Sequence, residues 1–189
     1  MNEHMRTRLW SHVAVVLGGT LVLVTLLLGF GTPDPAAAQM ARAEFIDGQG
    51  KTIGTATLRD DPRGVVLITV RLANLPPGRL GFHIHAIGRC DPPDFASAGP
   101  HFNPELRKHG LQSDEGPHAG DLRNLIVEAD GTVEMTVGAR EVTLGSPTNS
   151  HSLFGPTGTA LVVHARADDM QTDPAGGAGP RIACGVIMR

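Results

Sequence analysis

Six of the nine histidines in this chain, together with one aspartate, fall in short segments whose spacing suits two adjacent metal ions. They are His83 and His85 in GFHIH, His101 in AGPHFNP, His109 in RKHG, His118 and Asp121 in PHAGDL, and His164 in ALVVHA. Imidazole is the commonest metal-binding side chain and suits both copper and zinc. His83 and His85 lie two apart in an apolar run. On a strand such a pair projects from one face, roughly 6–7 Å apart at the Cα atoms, and can grip one ion. Alone, an H-x-H pair is weak evidence, because most are ordinary core or surface histidines. His101, His109, His118 and Asp121 add three imidazoles and one carboxylate, the donor set of a four-coordinate structural zinc shell. Asp121 by itself also fits a turn cap after Gly120. Only His4, His12 and His151 stand outside the set, and His151, in the polar turn Asn149-Ser150-His151-Ser152, is expected to face solvent.

The elements that must position these residues are short and β-like. Ala41 to Ile46 and Thr52 to Leu58 flank Asp47-Gly48-Gln49-Gly50, a hairpin signal. Between Val65 and Leu75, Val66, Ile68, Val70 and Leu72 alternate with Leu67, Thr69 and Arg71, which gives one apolar face. Pro76-Pro77-Gly78 ends that strand, and Leu80 to His85 begins another. Leu122 to Ala129 and Thr132 to Gly138 flank Asp130-Gly131, a second hairpin signal, and Thr159 to Ala165 and Arg181 to Ile187 complete about eight strands. Residues 86–119 and 166–180 carry many Gly, Pro and polar residues and no convincing strand. Loops longer than about 12–15 residues are uncommon in compact domains unless they work or are disordered. Phe82 and Phe102, beside ligand candidates, are expected in the core. With no Tyr, and its single Trp (Trp10) outside this region, the chain does not fit an immunoglobulin-type sandwich.

Arg6 and Arg8, an uncharged apolar run from Val13 to Phe30, and Ala36-Ala37-Ala38 describe an export signal over residues 1–38, with Gln39 the expected mature N-terminus. The run is nearly long enough to act as an uncleaved anchor, the alternative to cleavage. In either case residues 39–189 lie outside the cytoplasm, in a periplasm, cell envelope or extracellular space, and have the size of one domain. Removing Glu3, Arg6, Arg8 and Asp34 leaves the formal charge at -3, which gives no basic footprint for nucleic acid. The two cysteines, Cys90 and Cys184, allow a single pairing, and an oxidising compartment favours a disulfide over two buried thiols.

In order and spacing, GFHIHxxGxC, AGPHFNP, KHG, HxGDLxN, ALVVHAxxDD and GPRIACGVI resemble the copper/zinc superoxide dismutases across essentially all of residues 39–189. The resemblance implies one copper per chain on His83, His85, His101 and His164. It implies one zinc on His101, His109, His118 and Asp121, with His101 bridging the ions. It also implies a Cys90–Cys184 disulfide, an anion-orienting Arg181, and an Asp168 that links His83 to His109 from behind. With the strand pattern it predicts an all-β, eight-stranded Greek-key flattened barrel or sandwich with two long functional loops. The implied activity disproportionates superoxide to oxygen and hydrogen peroxide by Cu(II)/Cu(I) cycling, with His101 and Arg181 as catalytic groups and a homodimer as the usual assembly. No nucleic acid partner is expected, and no membrane partner once the signal is cleaved. The loop before Arg181 departs somewhat from the family: its only cation is Arg166, against Asp168, Asp169 and Asp173, so weak electrostatic steering is expected.

Two other function classes compete. An exported copper/zinc-binding module without turnover would lack a copper ligand or Arg181, and neither is missing. A zinc hydrolase would need an open zinc position beside a carboxylate base, which Asp121 fills.

Overall fold

The computed structural model describes residues 39–189, and within residues 1–38 only the two-residue strands β1 (Val16–Leu17) and β2 (Thr20–Leu21), which pair with each other antiparallel. The rest of the expected export segment, including its Ala36-Ala37-Ala38 site, lies outside the described residues. Among the described residues no helix is long and apolar enough to cross a membrane.

Nine strands build the rest. They are β3 (Met40–Asp47), β4 (Thr52–Asp60), β5 (Val66–Leu72), β6 (Gly78–Leu80), β7 (Phe82–His85), β8 (Leu125–Val127), β9 (Val133–Ala139), β10 (Ala160–His164) and β11 (Arg181–Val186). Seven form one antiparallel sheet in the order β7-β10-β11-β3-β4-β5-β9, and β6 pairs with β8 in a separate ribbon. The consecutive strands β3, β4 and β5, with β11 returning beside β3, have the spatial order of a Greek key. The expected alternation is present: Val66, Ile68, Val70 and Leu72 are buried, while Leu67, Thr69 and Arg71 are partly or fully exposed. Asp47 closes the first hairpin, its Oδ1 accepting the Gln49 and Lys51 N–H groups at 2.9 and 3.0 Å.

Two sequence expectations need correction. The single strand Leu80 to His85 is divided at Gly81, so nine strands stand where about eight were expected. A Cβ at Gly81 would press on Ala178 Cβ at 2.7 Å, and here the backbone leaves its β8 partner for β10. The Asp130-Gly131 turn forms, with Glu128 N–H donating to Thr132 O at 2.8 Å, but no ladder follows it. Instead β8 pairs with β6, and β9 runs in register with β5 over seven residue pairs, Val66↔Ala139 to Leu72↔Val133. A turn is decided by local chemistry, whereas the strand partner is decided by which apolar faces the curled sheet closes over.

β10 is buried on both faces, which explains its unbroken ALVV run. Leu161 and Val163 face the main core. Ala160 and Val162 face a smaller cluster with Phe95, Ala98 and Cys184, contributed by the loop after β7 and by β11. Phe82 is fully buried and Phe102 packs against the core, as expected.

Candidate metal centre

β7 sits at one end of the sheet, with β10 on one side and long-loop segments on the other. Phe82 and Ile84 enter the core, so alternation turns His83 and His85 to the opposite face. Main-chain bonds bring the loop to that free edge. Ile84 N–H donates to Gly120 O, Phe102 N–H to Ile84 O and Gly120 N–H to Phe102 O, each at 2.8 Å, and Ala86 N–H donates to Pro100 O at 2.9 Å. They set His101 beside His85 and Asp121 beside His83. A side chain at Gly120 would collide with the Ile84 carbonyl, so this approach requires glycine. On the other side, His164 ends β10.

The seven expected ligands are all buried, and they converge as two groups sharing His101: His83, His85, His101 and His164, and His101, His109, His118 and Asp121. Their nitrogens are aimed by partners behind each ring. His85 Nδ1 donates to Gly99 O at 2.8 Å and His164 Nδ1 to Gly179 O at 2.9 Å. A carbonyl only accepts, so these rings carry their protons on Nδ1, and their Nε2 lone pairs face one another at 3.5 Å. His83 Nε2 bonds Asp168 Oδ2 at 2.8 Å, which leaves His83 Nδ1 for the centre. His83 Nδ1 and His101 Nε2 are the two buried side-chain polar atoms with no partner among the described residues. An orphaned buried polar atom costs about 1–3 kcal/mol. Two orphans and two opposed lone pairs converging from four rings is a donor set that fits a cation and little else.

The second group converges on one oxygen. Asp121 Oδ1 lies 3.0 Å from His101 Nδ1, 2.9 Å from His109 Nδ1 and 3.3 Å from His118 Nδ1. Its other oxygen is held by the Gly110 and His118 N–H groups at 2.8 and 3.0 Å. Three nitrogens and one carboxylate oxygen at this spacing fit a tetrahedral zinc shell.

The electrostatics follow from burial. It pushes the His83 imidazole down to about 3, against a raising bond from Asp168. It pushes His85 down to about 2 and His164 down to about 4, and it lowers His101 as well. Neutral imidazole is the form that ligates metal. Burial would raise Asp121, but bonds from His101, His109 and His118 outweigh it and hold the carboxyl far below its usual range. Burial would likewise lower His109, yet Asp121 and Asp168 on its two sides raise it to about 9.

Arg181 opens β11 opposite His164 in the ladder. Its Nη1 donates to Phe95 O and its Nη2 to Gly99 O, both at 2.6 Å. Gly99 O therefore binds both His85 and Arg181, which ties the arginine to the first histidine group. The loop carrying both carbonyls is joined to β11 by the Cys90–Cys184 disulfide, Cα–Cα 5.7 Å, so the expected pairing is present. Asp168 lies between His83 and His109, with Oδ1 at 3.0 Å from His109 Nε2.

Three residues at the site have no positioning role in the sequence reading. Asn124 pairs with the backbone of Asp168, Asp173 Oδ1 accepts the His109 N–H at 2.8 Å, and a side chain at Gly176 would collide with Asp168 Oδ1. Asn124 is the last letter of HxGDLxN and could have been questioned there. The other two lie in a loop with no periodic signal. His151, expected in solvent, is only partly exposed: its Nδ1 donates to Glu141 O at 2.7 Å and its Nε2 lies 3.3 Å from Glu105 Oε1.

Comparison with known proteins gives a consistent picture. The family model "Copper/zinc superoxide dismutase (SODC)" matches residues 52–187. Superoxide dismutase [Cu-Zn] 1 of Aquifex aeolicus is 50% identical over 146 residues, covering 77% of this chain and 85% of that protein. Superoxide dismutase [Cu-Zn] 2 of the same organism is 46% identical over 173 residues, covering 91% and 96%. Among solved structures, the SOD-like protein from Bacillus subtilis superposes with TM-score 0.74 at 37% identity, covering 78% of this chain and 97% of that one.

Proposed function

The chain belongs to the copper/zinc superoxide dismutase family and is an oxidoreductase acting on superoxide; from that premise we propose that His83, His85, His101 and His164 hold its copper and that His101, His109, His118 and Asp121 hold its zinc. The observation that carries the assignment is the direction of the nitrogens. His83 Nδ1 and His101 Nε2 are buried without partners, and His85 and His164 turn unprotonated Nε2 atoms toward the same point.

When bound, copper would supply one-electron exchange, and zinc, which has no redox chemistry, would supply a fixed positive charge. The protein's own groups do the rest. Arg181, seated on the Phe95 and Gly99 carbonyls, has N–H donors left over with which to orient the superoxide anion. His101 presents Nδ1 to the Asp121 group and Nε2 to the other three rings, so its Nε2 is the atom that would either give its lone pair to copper or, when free of it, hold a proton for the peroxide product. Two superoxide anions and two protons yield one dioxygen and one hydrogen peroxide. Gly99 and Gly179 fix the outer nitrogens of His85 and His164, and Asp168 fixes those of His83 and His109.

The test is His164→Ala, with metals quantified beside a superoxide assay. Copper content and activity fall together and zinc stays; full activity in that variant defeats the assignment. Residues 1–38 serve as an export signal and residues 39–189 as the working domain, active outside the cytoplasm as a homodimer. N-terminal sequencing and light scattering of the mature protein check these points.

A further inference from the structure

Asp168 joins the outer nitrogen of a ring in the first histidine group to that of a ring in the second, with Oδ2 at 2.8 Å from His83 Nε2 and Oδ1 at 3.0 Å from His109 Nε2. Yet it stands in the segment 166–180, which is rich in Asp, Gly and Pro and contains no strand. A carboxylate aimed at two rings needs a fixed backbone, and that segment does not supply one by itself.

Asn124 supplies it. Its Nδ2 donates to the Asp168 carbonyl at 2.8 Å, and the Asp168 N–H donates to its Oδ1 at 2.9 Å. Both hydrogen-bonding ends of one side-chain amide are thus spent on the main chain of one residue 44 positions away, as a neighbouring strand would do. Asn124 is itself only 4% exposed. Its own position is set from both sides. Asp121 lies three residues before it, and β8 begins at Leu125, pairing with Leu80 in the β6 ribbon. The Met170 N–H adds a bond to Asp168 Oδ1 at 2.6 Å, and Gly176 leaves the space that the carboxylate fills.

An amide serving only to satisfy a buried loop could bond any nearby backbone group. This one connects the element carrying Asp121 to the carboxylate that orients His109 and His83. We propose that Asn124 is a positioning residue for the metal pair: by clamping the Asp168 main chain it locks the carboxylate that links His109, and so zinc affinity, to the orientation of His83. The inference rests on the ligand assignment above.

A double-mutant cycle on the full chain tests it, with zinc affinity measured by competition against a chromophoric chelator. The four proteins are the parent, Asn124→Ala, Asp168→Ala and the double variant. Partners behind metal ligands typically change affinity by about 10- to 100-fold, and the Asn124→Ala loss is expected in that range. In the Asp168→Ala background the same substitution is expected to change affinity by less than about twofold, because the group it positions is gone. The copper(II) visible spectrum of doubly loaded Asn124→Ala is expected to move in the direction of Asp168→Ala. Additive losses across the cycle, or parent-like zinc affinity in Asn124→Ala, overturn the proposal. Should the alanine variant not fold, Asn124→Asp carries the same cycle, since it keeps the acceptor for the Asp168 N–H and removes the donor to its carbonyl. A parent chain that binds no zinc defeats the ligand assignment itself, whereas a zinc-binding parent with additive losses defeats only the role of Asn124.

Discussion

Eight ionisable side chains, the seven proposed ligands and Asp168, are buried at one place, and the stability of the metal-free domain must depend on pH through those whose titration is shifted. His83, His85 and His164 are pushed by burial to about 3, 2 and 4, against roughly 6.5 in an unfolded chain. Between those values the unfolded chain binds protons that the folded one refuses, so stability rises with pH there. The favourable contribution of neutral burial is complete above about pH 6.5 and drains away as pH falls toward 4. His109 works in the opposite sense. Its value near 9 means that its charged pairing with Asp121 and Asp168 stabilises fully below about pH 6.5 and is lost as pH rises through 9. Denaturant unfolding of the metal-free protein is therefore expected to show a stability maximum near pH 6.5, with midpoints lower at pH 5 and falling again between about pH 6.5 and 9. A flat profile from pH 5 to 10 would refute the burial of these rings as neutral groups.

At the scale of elements, residue types in the sequence single out the proposed ligands but not all of the devices that aim them. The His-x-His pair and the apolar β10 were legible because alternation and burial leave a periodic trace. The division at Gly81 was not legible, since one glycine in an apolar run looks like an ordinary strand residue until its steric surroundings are known. Nor was the separation of β8 from β9, because turn chemistry at Asp130-Gly131 is local while pairing is not. Asn124 was hidden for the same reason, its partner being 44 residues away. The loop between β7 and His101 illustrates how one element serves stability and chemistry together. Cys90 ties it to β11, Phe95 plugs the smaller core, and its Phe95 and Gly99 carbonyls seat Arg181. Replacing both cysteines by alanine is expected to cost about 2–5 kcal/mol in denaturant unfolding. It is also expected to lower kcat/KM with copper and zinc contents unchanged, as the seat of Arg181 loosens. A variant that is destabilised yet keeps full kcat/KM would separate the disulfide from the arginine.

Over the whole molecule the question is how far the protein reaches for its anionic substrate. The formal charge of -3 opposes approach in general, so attraction must be local to the site. One unit charge at 10 Å in bulk water is worth about 0.4 kcal/mol, below thermal energy, and at physiological salt a Debye length of about 8 Å screens it further. Strong steering therefore needs several cations along the approach. The segment leading to Arg181 offers only Arg166, whose Nε is turned to the Gly177 carbonyl at 3.3 Å. Its aspartates are partly used up by the fold: Asp168 is buried between His83 and His109, and Asp173 accepts the His109 N–H. Asp169 binds the Gln171 and Thr172 N–H groups but stays exposed and keeps its charge. On the role proposed for Arg181, capture of superoxide then falls to that residue at short range, where salt has little effect. Raising ionic strength from about 10 to 200 mM is expected to lower kcat/KM by less than about threefold, against the 10- to 1,000-fold gains of focused fields. Stopped-flow decay of superoxide across that range decides the matter, and a steep decline would mean that cations elsewhere on the surface focus the field.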